Sequence, residues 1–294
     1  MNSKPFHFQV GNFACTVFLD GMVPYPPAMF FTNLRKEEYD PLLRQRGQGS
    51  EEIETPYTCL FINTGRERVL VDTGAGNFSP TAGNLLPQLR AEGIEPGEID
   101  AVVLSHGHPD HIGGNLNKDG KPTFPNARYV LFKEEWDFWM SNPSLGELPV
   151  DARFKEAMLA SAQKNLPPIQ GQLDLLQQET EIHRGVSAIA AFGHTPGHMA
   201  LEISSAGQQL IFVADAIIDP IDIEYPQARA VIDHQPEKMV STRVRLLKKA
   251  AEGKALLLAS HFPFPGLGHV VPIGAGWQWQ PIPAARKFSA GRSG

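Results

Sequence analysis

Four potential metal ligands, His106, His108, Asp110 and His111, fall within the run SHGHPDHIGG at 105–114. Imidazole nitrogens and carboxylate oxygens suit zinc, manganese and iron. The step into Pro109 and the glycines around it disfavour a helix, so a tight loop is expected here. Such a loop can turn His106 and His108 towards one point and Asp110 and His111 towards a neighbouring one. Two dications roughly 3.5–4 Å apart would clamp a water, lower its pKa towards neutrality and polarise a carbonyl or phosphoryl oxygen. That chemistry needs no serine or cysteine nucleophile. Cys15 and Cys59 lie outside these motifs and read as buried free thiols.

Seven short apolar runs bounded by turn residues supply the frame: 59–65, 69–74, 101–107, 129–132, 187–193, 210–215 and 255–261. They are rich in Val, Ile and Leu and read as strands buried on both faces. Amphipathic helical patterns cover 80–92 and 242–252. The alternation predicts a layered α/β fold. Polar residues fall at or just after several strand ends: Asp72, His106, His194, Asp215 and His261. Strand ends are where α/β sheets place their chemistry. The segment 20–50 is dense in proline and aromatic residues and holds no period. It reads as a surface arm, a pocket wall or a dimer contact, and 283–294 reads as a frayed tail.

The chain has 294 residues, 42% hydrophobic and 20% charged, with net charge −6. That composition suits a globular protein with a large core and disfavours nucleic acid or an anionic membrane surface as partner. No apolar run is long enough to span a bilayer, and the start lacks the apolar stretch of a signal peptide. A cytoplasmic enzyme is the expectation.

SHGHPDHIGG resembles the signature of the metallo-β-lactamase superfamily. VDTG with Asp72, AFGHTPGH with His194, VADA with Asp215 and LASH with His261 extend the resemblance in the family's chain order. It implies one domain over 1–294 with a four-layer αββα sandwich. It also implies that His106, His108 and His194 hold one metal, that Asp110, His111 and His261 hold a second, and that Asp215 bridges them. Zinc is the first expectation for both, with manganese, cobalt or iron as alternatives. Asp110 and Asp215 are the candidate catalytic carboxylates. Asp72 and His198 are expected to orient ligands, and His269 to line the pocket. A mononuclear-iron oxidoreductase and a non-catalytic ligand-binding protein are the competing readings of this fold.

GNFSPTAG, KEEWDFWMSN, DARFKEAM and SHFPFPGLGHV resemble the methyl parathion hydrolase and lactonase-like branch. The resemblance implies an apolar substrate pocket lined by Phe78, Trp139, Phe154 and Ile218. Many acyl-homoserine lactonases carry a tyrosine at the position of Ile218, so Tyr225 is a candidate to reach in from the next loop. The expected activity is hydrolysis of neutral esters by a metal-bridging hydroxide. Lactones and aryl esters are the expected substrates, with organophosphate triesters as a native or promiscuous class. A homodimer is expected through Tyr25, Met29, Phe30 and Phe31.

Overall fold

A computed structural model describes residues 4–283. Apart from Pro283, the expected tail at 283–294 lies outside the described residues. The first half runs β1 (Phe6–Val10), β2 (Phe13–Tyr25), α1 (Lys36–Gln45), β3 (Ile53–Asn63), β4 (Arg68–Val71), α2 (Leu85–Ala91), β5 (Ala101–Val103), α3 (Pro109–Ile112), β6 (Arg128–Phe132), α4 (Lys133–Met140), α5 (Ala152–Asn165) and β7 (Leu173–Leu176). Its strands form one seven-stranded sheet in sequence order, antiparallel from β1 to β4 and parallel from β4 to β7.

The second half runs β8 (Glu181–His183), β9 (Val186–Ala190), β10 (Met199–Ser205), β11 (Gln208–Ala214), α6 (Ile221–Glu224), α7 (Pro236–Glu252), β12 (Leu256–Ala259), β13 (Leu267–Ile273) and β14 (Gly276–Pro281). Its seven strands form the second sheet, ordered from β14 back to β8.

The sheets pack face to face. Val17, Leu60, Ile62, Val71 and Val103 of the first meet Leu201, Ile203, Leu210, Phe212 and Leu258 of the second. The outer face of the first sheet is covered by residues of α2, α4 and α5, including Leu85, Leu89, Trp139, Met158 and Ala162. On the second sheet α7 places Met239, Leu246 and Leu247 against Ile211, Val213 and Leu257. Helices therefore cover both outer faces, giving the expected αββα layering.

Each of the seven apolar runs contains a strand. The strands outside those runs are of a different kind. β14 is half exposed along its length, and β2 and β10 mix polar with apolar residues. A strand with one wet face lacks the continuous apolar signal of a buried one. The segment 20–50 packs on the body of the fold. It completes β2, forms α1, and buries Phe30, Phe31, Tyr39 and Leu43 against Ile218, Ile221 and Ala228. Of the four residues in the dimer expectation, Phe30 and Phe31 are buried and Tyr25 and Met29 are partly exposed. Among the described residues, no helix is long and apolar enough to cross a membrane.

Candidate metal centre

The loop after β5 carries His106 and His108, and a helix does begin there. Pro109 is the first residue of α3, where its missing N–H costs nothing and its fixed φ suits the turn. The expectation of a helix-free loop is corrected by that position: proline breaks a helix interior and starts a helix well.

All seven expected ligands converge in two adjoining groups. His106, His108, His194 and Asp215 form one, and Asp110, His111 and His261 form the other, the candidate ligand atoms of each group lying within 4.8 Å of one another. His108 Nδ1 is 3.0 Å from both His106 Nε2 and His194 Nε2. Asp215 stands between the groups, with Oδ1 3.1 Å from His111 Nε2 and Oδ2 3.0 Å from His261 Nε2.

The far sides of the imidazoles explain why these atoms converge. His111 Nδ1 is 2.8 Å from Asp72 Oδ2, and His194 Nδ1 is 3.0 Å from Asp233 Oδ1. His261 Nδ1 donates to the carbonyl of Pro56 at 2.8 Å, and His106 Nδ1 lies 3.0 Å from Ser105 Oγ. With a proton held on each Nδ1, the Nε2 lone pairs of these four rings face inward. Lone pairs pointed at one another in a dry site repel, and a cation relieves them. His111 Nε2 and Asp215 Oδ1 are buried and form no hydrogen bond, so the donor set fits a pair of metals.

The electrostatics differ between the groups. Burial pushes His106 and His108 well below the ordinary histidine value, into the neutral form a metal needs. Burial acts the same way on His111 and His261, but neighbouring carboxylates outweigh it and raise both, Asp215 contributing most. Burial would raise Asp215, yet His261, His111 and His106 hold it well below the carboxylate range.

Two residues without any motif signal hold the ligand loops. Glu135, in the first turn of α4, is fully buried and accepts four hydrogen bonds: Gly107 N at 2.8 Å, Trp139 Nε1 at 2.7 Å, Thr195 Oγ1 at 2.6 Å and Gly197 N at 2.9 Å. One carboxylate thus ties the His106–His108 loop to the His194 loop. Both loops lie flush on α4: a Cβ at Gly107 would sit 2.2 Å from Trp139 Nε1, and one at Gly197 2.2 Å from Glu135 N. Asp233 is the other; besides facing His194, it accepts from Ala230 N at 3.1 Å.

Asp72 accepts from Ser105 N and Ser105 Oγ as well as meeting His111, and sits in the left-handed region at φ 61°. Three partners for one carboxylate hold it in that sparsely populated conformation. His198 lies under the site, where its Nε2 accepts from Asp215 N at 3.1 Å.

The centre opens into a cavity lined by Tyr25, Met29, Phe30, Thr55, Tyr57, Phe78, His108, Pro109, Asp110, Phe154, Met158, Asp215, Ile218, Ile232 and His261. Phe78, Phe154 and Ile218 are thus cavity residues. Trp139 is not: it is fully buried behind the ligand loop, its ring 5.8 Å from that of His108. Its aromatic bulk made it look like pocket lining, but its indole N–H is spent on Glu135. His269 lies on β13 opposite Leu256 and Gln280 and does not line the cavity. Tyr225 packs with Ile218 and Ile221 outside the lining. The segment 20–50 reaches the cavity through Tyr25, Met29 and Phe30, so it serves as pocket wall. Cys15 and Cys59 are buried free thiols, and burial pushes Cys15 up to about 12.

The profile of the metallo-β-lactamase superfamily matches residues 53–261. The chain belongs to that superfamily. N-acyl homoserine lactonase AiiA of Bacillus thuringiensis subsp. kurstaki is 26% identical over 231 residues, 71% of this chain and 82% of the lactonase. Among solved structures, AidC, a dizinc quorum-quenching lactonase in complex with the product N-hexanoyl-L-homoserine, superposes with a TM-score of 0.89 at 29% identity. The match covers 97% of this chain and 99% of AidC. The hydrolase AbOPH superposes with a TM-score of 0.88 at 27% identity, with the same coverage. This metallo-β-lactamase-fold protein is a metal-dependent hydrolase with two divalent metal sites.

Proposed function

We propose that the protein is a lactonase that opens N-acyl homoserine lactones and related neutral esters, with zinc at both sites. The observation that carries this reading is the pairing of the two ligand groups with their cavity. Eight of its fifteen lining residues are Met, Phe, Pro or Ile, and no lysine or arginine lines it. A substrate bearing an anionic group would find no cation there beyond the metals, whereas a neutral ester with an acyl chain buries apolar surface against Met29, Phe30, Phe154 and Ile218. Similarity to AidC and AiiA supports the lactone class.

When bound, the two metals supply Lewis acidity to the ester oxygen and to water. The chain's own residues do the rest. His106, His108, His194 and Asp215 would hold the first metal, Asp110, His111 and His261 the second, with Asp215 standing between the two groups. The Asp110 carboxyl is held below its ordinary range by His111 and His261, against the opposing effect of burial, and remains an acceptor. It borders the cavity, where it can take a proton from water and return it to the leaving alkoxide. Met29, Phe30 and Phe154 exclude bulk water from the reacting carbonyl.

Aryl esters and organophosphate triesters fit the same apolar, cation-free lining, since a tetrahedral triester resembles the transition state of lactone opening. The test is a hydrolysis panel on the zinc- and manganese-loaded protein, beside elemental analysis. The expected result is two metal equivalents per chain and the highest kcat/KM on homoserine lactones. A single iron, with no gain on adding more metal, or an inert fully loaded protein would overturn the reading.

A further inference from the structure

Three polar residues line the cavity without belonging to either metal group: Tyr25, Thr55 and Tyr57. Thr55 is committed, its Oγ1 donating to Ile53 O at 3.2 Å. The two tyrosines meet each other, their hydroxyls 2.5 Å apart, and have no other hydrogen-bond partner among the described residues. Their strand register explains the meeting. Tyr25 of β2 lies opposite Ile53, and Tyr57 of β3 lies opposite Gly21. Both side chains therefore stand on one face of the β2–β3 ribbon, four residues apart along it, where their hydroxyls meet. The Tyr57 ring stands edge-on to the ligand His261, centroid to centroid 5.5 Å.

Two hydroxyls in contact carry two protons and share one of them. The other proton has no acceptor among the described residues. With Thr55 committed and the other polar lining residues in the two candidate ligand groups, that proton is the one uncommitted side-chain donor in the described lining.

We propose that the Tyr25–Tyr57 pair is the substrate-binding hydrogen-bond donor of this cavity, one phenol donating to the other and the second donating to a neutral carbonyl oxygen of the substrate. The proposal rests on the ester-hydrolase reading and adds a selection rule to it: the preferred substrate carries a carbonyl that this donor can reach.

The test uses Tyr25→Phe, Tyr57→Phe and the double variant as metal-loaded proteins. Each is assayed on N-hexanoyl homoserine lactone and on an alkyl γ-lactone of similar length without the amide. At least one single variant should lose about tenfold in kcat/KM, the size of one neutral hydrogen bond. The double variant should be no worse than the worse single one, because the pair offers a single free proton. A loss confined to the amide-bearing substrate assigns the donor to the acyl-arm carbonyl, and an equal loss on both assigns it to the lactone carbonyl. Both single variants within twofold of wild type would overturn the proposal, as would a loss that tracks metal content or melting temperature. If wild type opens no lactone, the lactonase reading fails. The same variants on 4-nitrophenyl butyrate, whose ester carbonyl is an equivalent acceptor, then decide the donor by the same tenfold criterion.

Discussion

On the floor of the cavity, most ligand side chains are held from behind: His111 by Asp72, His194 by Asp233, His261 by the Pro56 carbonyl, and the backbone of the His106–His108 loop by Glu135. On its walls, Met29, Phe30, Phe78, Phe154 and Ile218 are held by contact alone. The floor is set by directional hydrogen bonds, which fail abruptly when one partner is removed. The walls are set by dispersion and apolar burial, which fail gradually. The reaction should therefore be brittle to substitution and the substrate range tolerant.

Breaking the floor at its centre should produce the largest effect. Asp215 touches both ligand groups, so Asp215→Asn removes a charge that would serve both metals. The expected outcome is a loss of kcat by about three orders of magnitude or more, with fewer than two metal equivalents by elemental analysis and the far-UV circular dichroism of the fold retained. A variant with wild-type rate and metal content would remove Asp215 from the centre.

Trp139 tests where the floor ends and the core begins. It is fully buried in the layer beneath the ligand loop, so Trp139→Ala should cost roughly 3–5 kcal/mol of stability. Activity should then fall alike for bulky and small substrates. A KM rise confined to bulky substrates, with an unchanged melting temperature, would return Trp139 to the wall.

The same contrast explains how far the amino-acid sequence could be read. The candidate ligands were legible as a converging group because metal chemistry restricts residue type and strand ends restrict position; HxHxDH after a buried strand has few other uses. The buried strands were legible from their continuous Val, Ile and Leu. Glu135 was not, because it sits in KEEWDFWM like any acidic residue in the first turn of a helix. Its four partners come from three separate stretches of chain that only the fold brings together. Asp233 and Pro56 were hidden for the same reason. The walls misled in the other direction: aromatic residues are common in both cores and pockets, so Trp139 and Phe154 look equivalent until burial separates them. Pro109 shows the reach of local rules, since its helix-breaking and helix-starting roles differ only by position.

Glu135→Gln sharpens the comparison because it alters the floor without touching a metal ligand. Glutamine keeps the shape but replaces one acceptor oxygen with a donor, so at least one of the four donors loses its partner. Metal affinity should fall by about 10–100-fold, as for other residues that orient metal ligands. The effect should fall first on the group containing His106, His108 and His194, whose loops Glu135 ties together. Competition with a chromogenic chelator reads it directly: one weakened site beside one unchanged site is the expected pattern. Equal weakening of both would mean that Glu135 supports the fold as a whole.

The smallest expected effect lies on the wall. Phe78 is 37% exposed. It sits on the loop after β4, whose backbone N–H groups at Ala75, Gly83 and Leu85 donate to the buried carboxyl of Asp20. The loop is thus fixed independently of the ring, and Phe78→Ala should leave stability within about 0.5 kcal/mol, as for exposed positions generally. The ring can contribute only the apolar area that a substrate covers. Burying a whole phenylalanine is worth about 1.5–3 kcal/mol, and a half-exposed ring against a flexible acyl chain contributes a fraction of that. The expected outcome is a KM about three- to fivefold higher for N-decanoyl homoserine lactone, with kcat and the KM for γ-butyrolactone nearly unchanged, because the short lactone does not extend to the ring. A fall in kcat shared by both substrates would contradict the division between floor and wall, since it would show a wall residue helping to set the geometry of the metals.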